Sequence, residues 1–529
     1  MKSFILSSLL LLVLLPAPAE FNVSRMFGDH AVLQREVPLP VTGRGTPGDT
    51  VTVSFAGQRK TGRVAGDGSW RVVLDPLALS TQPASMTVSA SGGGNKTFED
   101  LLVGDVWFAS GQSNMGFGFN ASLKPDEPFE EEKNSQIRFF MVSPDFYPLP
   151  RESFSSPVEW EVATRASIVW KPAPAWFFAR ELRKHVEVPI GIFVVARGGT
   201  MIQPFMPIES HADLRGTDVY PHLAGLQKNL SARDPATEAG RQAYLEALAQ
   251  IRRWNANLPA AIARGSFPSP IPSLTGPGRD TTISGIYNAC IHPFREFPFK
   301  GMLWYQGESN GGDREMYYYL LRAFIESLRK QLNGGDFPVY VVQLAPYGQD
   351  TQVPGAGDGS SGAREAQRLV CQDVPNTGLV VTLDIGDPKD IHPKNKVDVG
   401  IRLARWALHR DYGLENVVPS GPMFREQVIQ GNRIVLHFDY VGGGLMVGEK
   451  TGIEPVRPIS APLNLFAIAG EDKEFVRAEA TIVGDTVVVF SPEVPEPRYV
   501  RYAYSASPTG NLLYNKEGLP ASLFKTDPW

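Results

Sequence analysis

This sequence of 529 residues lacks several features that mark particular classes of protein. Its two cysteines, Cys290 and Cys371, are too few for a zinc site of the multi-cysteine kind. They permit either one disulfide or two free thiols, and the sequence leaves both open. The formal net charge is −5 and no basic stripe stands out, so we expect no nucleic-acid partner.

Long apolar runs are also absent, except at the N-terminus. Lys2 precedes an apolar run at residues 4–15, and the small residues Ala17 and Ala19 follow it. This pattern is typical of a secretory signal peptide, and the run is short for a membrane-spanning helix, which needs about 20 residues. We therefore expect a signal peptide at 1–19, cleaved near Ala19, and export to a periplasm, a lumen or the extracellular space, with no membrane partner.

The rest of the chain divides by its pattern into three parts. Residues 20–103 contain short strand-like runs separated by glycine-rich turns, which predicts an N-terminal β-sandwich domain. Residues 104–412 alternate apolar strands with helical patterns, which predicts an α/β fold with a parallel sheet and helices on both faces. A polar insertion at about 208–283 contains a predicted helix at 238–257 and has no assigned role. Residues 413–529 return to strand-like runs and predict a C-terminal β domain.

Chemically useful side chains follow the predicted strands of the α/β region. Ser113 comes directly after a buried strand and Gly111, and His392 follows the last strand of this region. Ligands of open α/β sheets bind beyond the carboxyl ends of the strands. A serine needs an adjacent base to become a nucleophile, and His392 is the best base by elimination among the eight histidines. The strand-turn-helix signature GxSxG is absent around Ser113, which disfavours a standard α/β-hydrolase turn at this serine.

An acid partner for His392 is less well defined. A carboxylate bonded to the far ring nitrogen would fix the tautomer of a catalytic histidine. Asp390 lies two residues before His392, and Asp387 lies five before it. Either aspartate is also an ordinary turn residue, so the sequence leaves a triad and a Ser–His dyad both open.

Four segments of the chain resemble the motifs of the sialate O-acetylesterase family, which belongs to the SGNH-like hydrolases. They are residues 111–115 (GQSNM), 198–200 (GGT), 304–310 (WYQGESN) and 390–393 (DIHP). The resemblance runs nearly end to end and implies a flavodoxin-like SGNH core with Ser113 as nucleophile and His392 as base. It also implies an oxyanion hole from the N–H groups of Ser113 and Gly199 and the side chain of Gln306.

Some residues in and near these motifs have alternative readings. Gln306 could instead hold the end of its strand in place, and Glu308 could orient the turn of Ser113 or bind sugar hydroxyls. SGNH enzymes often place the acid three residues before the histidine, where this chain has Lys389. The remaining candidates for substrate contact, together with Glu308, are Gln112, Asn114, Arg197 and Arg364.

The resemblance implies a serine esterase that hydrolyses O-acetyl esters of sugars, with sialate O-acetylesterase activity as the first expectation. Its partner would be a small acetylated sugar or glycan, and no metal or cofactor is expected. The first alternative is an acetylesterase of plant polysaccharide, such as xylan or pectin. The second is a non-catalytic carbohydrate-binding protein with a degenerate hydrolase core. The sugar, the acetyl position and the oligomeric state stay open.

Overall fold

The computed structural model describes residues 20–126, 129–130, 135–147, 149–214, 238–266, 283–313, 315–332, 334–350 and 353–528. The predicted signal peptide lies outside the described residues, as does much of the predicted insertion. The two cysteines are free thiols, Cys290 buried and Cys371 partly buried. Of the two states that the sequence permits, the structure therefore has the thiols.

The N-terminal part consists of short strands whose apolar residues alternate inward. In β4, for example, Val51, Val53 and Phe55 are buried while the residues between them are partly exposed. Strands β1, β3 and β6 form one antiparallel sheet, whereas β2, β4, β5 and β7 join a larger sheet through β8. The bounds are β1 Asn22–Val23, β2 Val32–Gln34, β3 Leu39–Arg44, β4 Thr50–Phe55, β5 Gln58–Arg63, β6 Ser69–Leu74, β7 Ser80–Ala90 and β8 Asn95–Gly111.

Strand β8 passes through the boundary predicted at 103/104. Its first half pairs antiparallel with β7, and its second half pairs in parallel with two strands of the central sheet. Because partners on both stretches satisfy its backbone groups, one 17-residue strand belongs to both parts of the molecule. The predicted boundary therefore lies inside a strand of an 11-stranded sheet and not in a linker.

The central part is the expected α/β arrangement. Its strands lie in the order β10-β9-β11-β8-β12-β13-β14, and all neighbours except the β10–β9 pair are parallel. The strands are β9 Ile137–Met141, β10 Trp160–Val162, β11 Ile190–Ala196, β12 Gly301–Tyr305, β13 Val339–Val342 and β14 Thr377–Val380. The helices are α1 Ala173–His185, α2 Ile208–Asp213, α3 Glu238–Ala263, α4 Glu315–Gln331, α5 Gly359–Asp373 and α6 Val397–Arg410.

Helices cover both faces of this sheet. Trp107 packs in one cluster with residues of α1 and α6, while its neighbour Phe108 packs in the opposite cluster with residues of α4 and α5. Successive strand residues point to opposite faces, so continuous apolar strands need cover on both sides. The predicted helix at 238–257 is confirmed and extends to Ala263. No helix within the described residues is long and apolar enough to cross a bilayer.

The C-terminal part is again β-rich, as predicted. It forms three small antiparallel sheets in the orders β15-β16-β22-β21, β18-β17-β24 and β20-β19-β23-β25. The bounds are β15 Met423–Gln430, β16 Arg433–Asp439, β17 Leu445–Glu449, β18 Arg457–Pro458, β19 Phe466–Ala469, β20 Val476–Arg477, β21 Glu479–Val483, β22 Thr486–Phe490, β23 Tyr499–Tyr502, β24 Leu512–Asn515 and β25 Phe524–Lys525.

Candidate active site

The candidate site lies where the chain changes direction across the central sheet. Strands β9 and β11 lie on one side of β8, while β12, β13 and β14 lie on the other. Such a reversal opens a crevice beyond the carboxyl ends of the strands, where open α/β sheets bind their ligands. Ser113 follows β8 and Gly198 follows β11, so both lie at this crevice.

The turn that carries Ser113 depends on a close approach between two strands. Gly111 has φ = +142°, and a Cβ atom there would lie 2.1 Å from the carbonyl oxygen of Tyr305. Only glycine fits this position. The N–H of Gln112 donates to the same carbonyl at 3.0 Å, and the N–H of Met115 donates back to the Gln112 carbonyl at 3.0 Å. The chain therefore turns sharply at the strand end and leaves Ser113 half-buried.

The structure brings Ser113 and His392 into contact across 279 residues of sequence. Ser113 Oγ and His392 Nε2 lie 2.8 Å apart, which is hydrogen-bonding distance for a nucleophile and its base. His392 lies on the loop between β14 and α6, and its ring stacks on Phe117 with centroids 6.4 Å apart. At the start of this loop, Asp384 forms a two-pronged ion pair with Arg402 of α6.

Neither predicted acid is hydrogen-bonded to the imidazole. Asp390 Oδ1 lies 3.9 Å from His392 Nδ1 and instead accepts the backbone N–H of His392 at 2.8 Å. Asp387 is exposed and accepts the backbone N–H of Lys389 at 2.8 Å. Both aspartates therefore serve as turn residues, and Asp390 is the one with an electrostatic contact to the imidazole.

Two of the three expected oxyanion donors have no partner. In the part of the chain that the structure describes, the N–H groups of Ser113 and Gly199 donate to no protein acceptor. A Cβ atom on Gly198 would lie 3.4 Å from the Cβ of Ser113, so the glycine pair lies directly against this serine. Gly199 has φ = +66°, a conformation that favours glycine.

Gln306, the third expected donor, is fully buried and already hydrogen-bonded. Its Nε2 donates to the Thr200 carbonyl at 3.2 Å and to Asn310 Oδ1 at 2.7 Å. Its Oε1 accepts from the hydroxyl of Tyr317 at 2.7 Å. A neutral amide has two N–H donors, and both are used here. This arrangement favours the alternative reading, in which Gln306 holds the strand end in place.

Comparisons with known proteins relate this chain to carbohydrate esterases. Residues 279–409 match the family model of carbohydrate esterases described as sialic acid-specific acetylesterases. A carbohydrate acetylesterase from Xanthomonas citri is 30% identical, with a TM-score of 0.74 over 96% of this chain and 100% of that one. The chain belongs to the sialate O-acetylesterase family. The sialate O-acetylesterases of Mus musculus and Homo sapiens are 28% and 27% identical, covering 79% of this chain and 79% and 76% of their own lengths.

Two substrate-contact candidates are buried polar groups in this member of the sialate O-acetylesterase family, and a third, Glu308, is half-buried. Gln112 is 3% exposed, and its Oε1 accepts the N–H groups of Gly307 and Ser309, both at 3.4 Å. Asn114 is 1% exposed and donates to Glu308 Oε1 at 2.5 Å. The expectation that Gln112 and Asn114 contact substrate is wrong, because the turn at Gly111 directs them into the protein. The contact of Glu308 with Asn114 favours its alternative role, in which it orients the turn of Ser113.

The two arginine candidates differ from each other. Arg364 is fully buried and donates only to backbone carbonyls, so its predicted contact with substrate is wrong. The accepting carbonyls belong to Leu344, Ala345, Ser505 and Ala506, at 2.6–3.1 Å. It thereby ties the C-terminal part to the core. Arg197 is half-buried beside the nucleophile's turn, where its N–H donates to the Gly111 carbonyl at 3.0 Å.

Sequence reasoning missed Lys396, which lies four residues after His392. Its side chain is fully buried, and its Nζ donates to Asn114 Oδ1 at 2.6 Å. Burial lowers the pKa of Lys396 to about 7, and burial also raises the pKa of the Glu308 carboxyl. A lysine in a polar loop normally indicates a solvated side chain, so the sequence holds no signal for this position.

Proposed function

We propose that this protein hydrolyses O-acetyl esters of sugars through an acetyl-enzyme on Ser113, with His392 as the base. The observation that carries the proposal is the 2.8 Å contact between Ser113 Oγ and His392 Nε2 at the mouth of the crevice. Membership of a family of carbohydrate esterases supports the acetyl ester as the bond that is cleaved.

The reaction proceeds by two acyl transfers. Ser113 Oγ attacks the acetyl carbonyl while His392 Nε2 takes its proton, and the sugar oxygen then leaves with that proton. Water next attacks the acetyl-enzyme, gives its proton to His392 and releases acetate, and the proton returns to Ser113. The N–H groups of Ser113 and Gly199 stabilise the negative charge on the carbonyl oxygen, and losing one such donor costs about 3–4 kcal/mol. Asp390 stabilises the imidazolium through space.

The core that holds this site is of the flavodoxin-like SGNH kind. Without the outer strands β9 and β10, its five parallel strands lie in the order β11-β8-β12-β13-β14. Numbered along the chain, these five strands have the order 2-1-3-4-5, which is that of flavodoxin. This order supports the proposal because it puts Ser113 and Gly199 on neighbouring loops.

Acetylated sialic acid is the first substrate class, and another acetylated carbohydrate is the second. The mammalian relatives named for sialate match 79% of this chain. The Xanthomonas citri enzyme, named only as a carbohydrate acetylesterase, covers 96% of it. Because this relative is named for carbohydrate in general, acetylated plant polysaccharide, such as xylan or pectin, stays the second candidate.

The protein acts outside the cytoplasm under this proposal. The support is the apolar run at residues 4–15 between Lys2 and the small residues that end at Ala19. Sequencing the N-terminus of the protein recovered from periplasm or medium should give a chain that begins at Glu20. An uncleaved chain that stays in the cytoplasm would contradict export.

The test compares the wild type with Ser113→Ala and His392→Ala on three substrates: O-acetylated sialic acid, acetylated xylan and p-nitrophenyl acetate. Each variant should lower kcat by a factor of roughly 10⁵, because the serine and its base act as one unit. Ser309→Ala removes another hydroxyl at the same strand ends and should leave the rate close to that of the wild type.

The outcomes separate the candidates. Release of acetate from one sugar class alone would identify the substrate, whereas activity on xylan without activity on sialate would favour the second candidate. Wild type and Ser113→Ala at the same background rate on all three substrates would leave only the non-catalytic carbohydrate-binding alternative. A Ser113→Ala variant with full activity would rule out Ser113 as the nucleophile.

A further inference from the structure

We propose that Lys396 is a positioning residue of the esterase, which fixes the Asn114 amide so that it ties the nucleophile's turn to the loop of the base. The proposal rests on the function proposed above. Asn114 directly follows Ser113, and Ile391 directly precedes His392. Asn114 Nδ2 donates to the Ile391 carbonyl at 3.0 Å, so one buried amide joins the two catalytic positions.

Lys396 holds the oxygen end of this amide. An ammonium group can only donate, so it requires Asn114 Oδ1 on its side, where the bond to Lys396 Nζ is 2.6 Å. A carboxylate and a carbonyl can only accept, so Glu308 and Ile391 require the Nδ2 side. The three neighbours therefore allow one of the two amide orientations. Among the described residues, Lys396 is the one partner of Asn114 Oδ1, so without the ammonium this end of the amide has no hydrogen bond to hold it in position.

Electrostatics link Lys396 to Glu308 through the same amide. Each group is desolvated, and burial lowers the pKa of Lys396 to about 7 and raises the pKa of Glu308. The charge of each favours the charged form of the other, so removing one partner leaves the other charge less well compensated. Removing both takes away this pair of opposite charges together, which gives a way to separate stability from positioning.

Lys396 also contacts the ring that lies behind the base. Its Nζ lies 4.9 Å from the centroid of Phe117 and 5.4 Å from that of Tyr305, which is cation–π distance. Phe117 in turn stacks on the imidazole of His392. The same ammonium therefore reaches the nucleophile through Asn114 and the base through Phe117.

The experiment uses Lys396→Met, Glu308→Gln and the double variant, with Ser113→Ala as the inactive reference. Lys396→Met should lower kcat for p-nitrophenyl acetate about 100-fold with little change in KM, because a small misplacement of reacting groups has an effect of that size. The rate at which a fluorophosphonate modifies Ser113 should fall by a similar factor. This second rate reports the Ser113–His392 pair without any sugar contact.

The double variant separates positioning from folding. It should recover much of the stability that Lys396→Met loses, since no unpaired charge is buried, yet kcat and the modification rate should stay low. Lys450→Met is the matched control, because Lys450 is also a buried lysine, 2.7 Å from Asp398, without contact to Asn114. It should lose stability and keep the wild-type kcat.

Two results would overturn the proposal. One is a double variant whose stability and kcat both return to wild-type values, which would make Lys396 a folding residue only. The other is a Lys396→Met variant whose Ser113 is modified by the fluorophosphonate at the wild-type rate. If Ser113→Ala itself kept full activity, the proposed function would fail, and that result is independent of the lysine.

Discussion

The same strand ends carry two groups of polar residues with opposite properties. The side chains of His392 and Asp390 are 38% and 46% exposed, and the Ser113 hydroxyl has one hydrogen-bond partner within the described residues. Behind them, Gln306 and Lys396 are fully buried, and each donates to acceptors fixed by the fold. Under the proposed function the outer group carries the chemistry, while the inner group is held in place.

The difference follows from what each group has to do. A nucleophile and its base must be accessible to substrate and water, and their hydrogen bond must change during each turnover. They cannot be fixed by many partners of their own. Precise placement therefore depends on groups behind them that never react, which is how supporting residues act in binding and catalytic sites generally.

The largest effect expected in the inner group is that of Gln306→Met. The free energy of unfolding should fall by about 2–3 kcal/mol, because the Thr200 carbonyl and the Tyr317 hydroxyl lose a buried partner. Denaturant unfolding measures this directly. The kcat of the folded variant should fall less than about tenfold, since an oxyanion donor would be worth 10² to 10³.

A control separates the two roles of this glutamine. Gln343 is also fully buried, and its Nε2 donates to the Arg364 carbonyl at 3.3 Å and to Ser522 Oγ at 2.8 Å. Gln343→Met should lose similar stability and keep kcat. If Gln306→Met instead kept its stability and lost 100-fold or more in kcat, Gln306 would act on the oxyanion. It would then belong to the outer group.

Sequence patterns predicted the outer group well because its position follows from the sheet. Parallel strands end at one edge, so residues that directly follow such strands come together however far apart they lie in sequence. Ser113 and His392 each follow a strand of this kind, and the structure has them 2.8 Å apart. The sequence also distinguished the β-rich ends from the α/β centre.

The direction in which each side chain points could not be predicted from the sequence. Asn114 was expected at the substrate because it lies beside Ser113, but a tight turn sends neighbouring side chains to opposite sides. The predicted contact of Arg364 with substrate was wrong for a related reason, since its helix buries the guanidinium against backbone carbonyls. No local pattern marks such burial, because two of the four accepting carbonyls belong to Ser505 and Ala506, more than 100 residues away in sequence.

The smallest effect expected concerns the outer group, where Asp390→Asn should lower kcat about fivefold. Asp390 lies 3.9 Å from the imidazole and is 46% exposed, so its interaction with the imidazolium is near the aqueous value of about 1 kcal/mol. Asparagine keeps the oxygen that accepts the His392 N–H, so the turn is preserved while the charge is removed. Steady-state kinetics on p-nitrophenyl acetate measure the change.

Asp387→Asn is the matched control for this prediction, because Asp387 is an exposed turn residue of the same loop and should give the wild-type rate. A loss near 10⁴ for Asp390→Asn, as in a hydrogen-bonded triad, would show that Asp390 closes on the imidazole during turnover. Asp390 would then hold His392 in place, and the outer and inner groups would differ only in how exposed their side chains are.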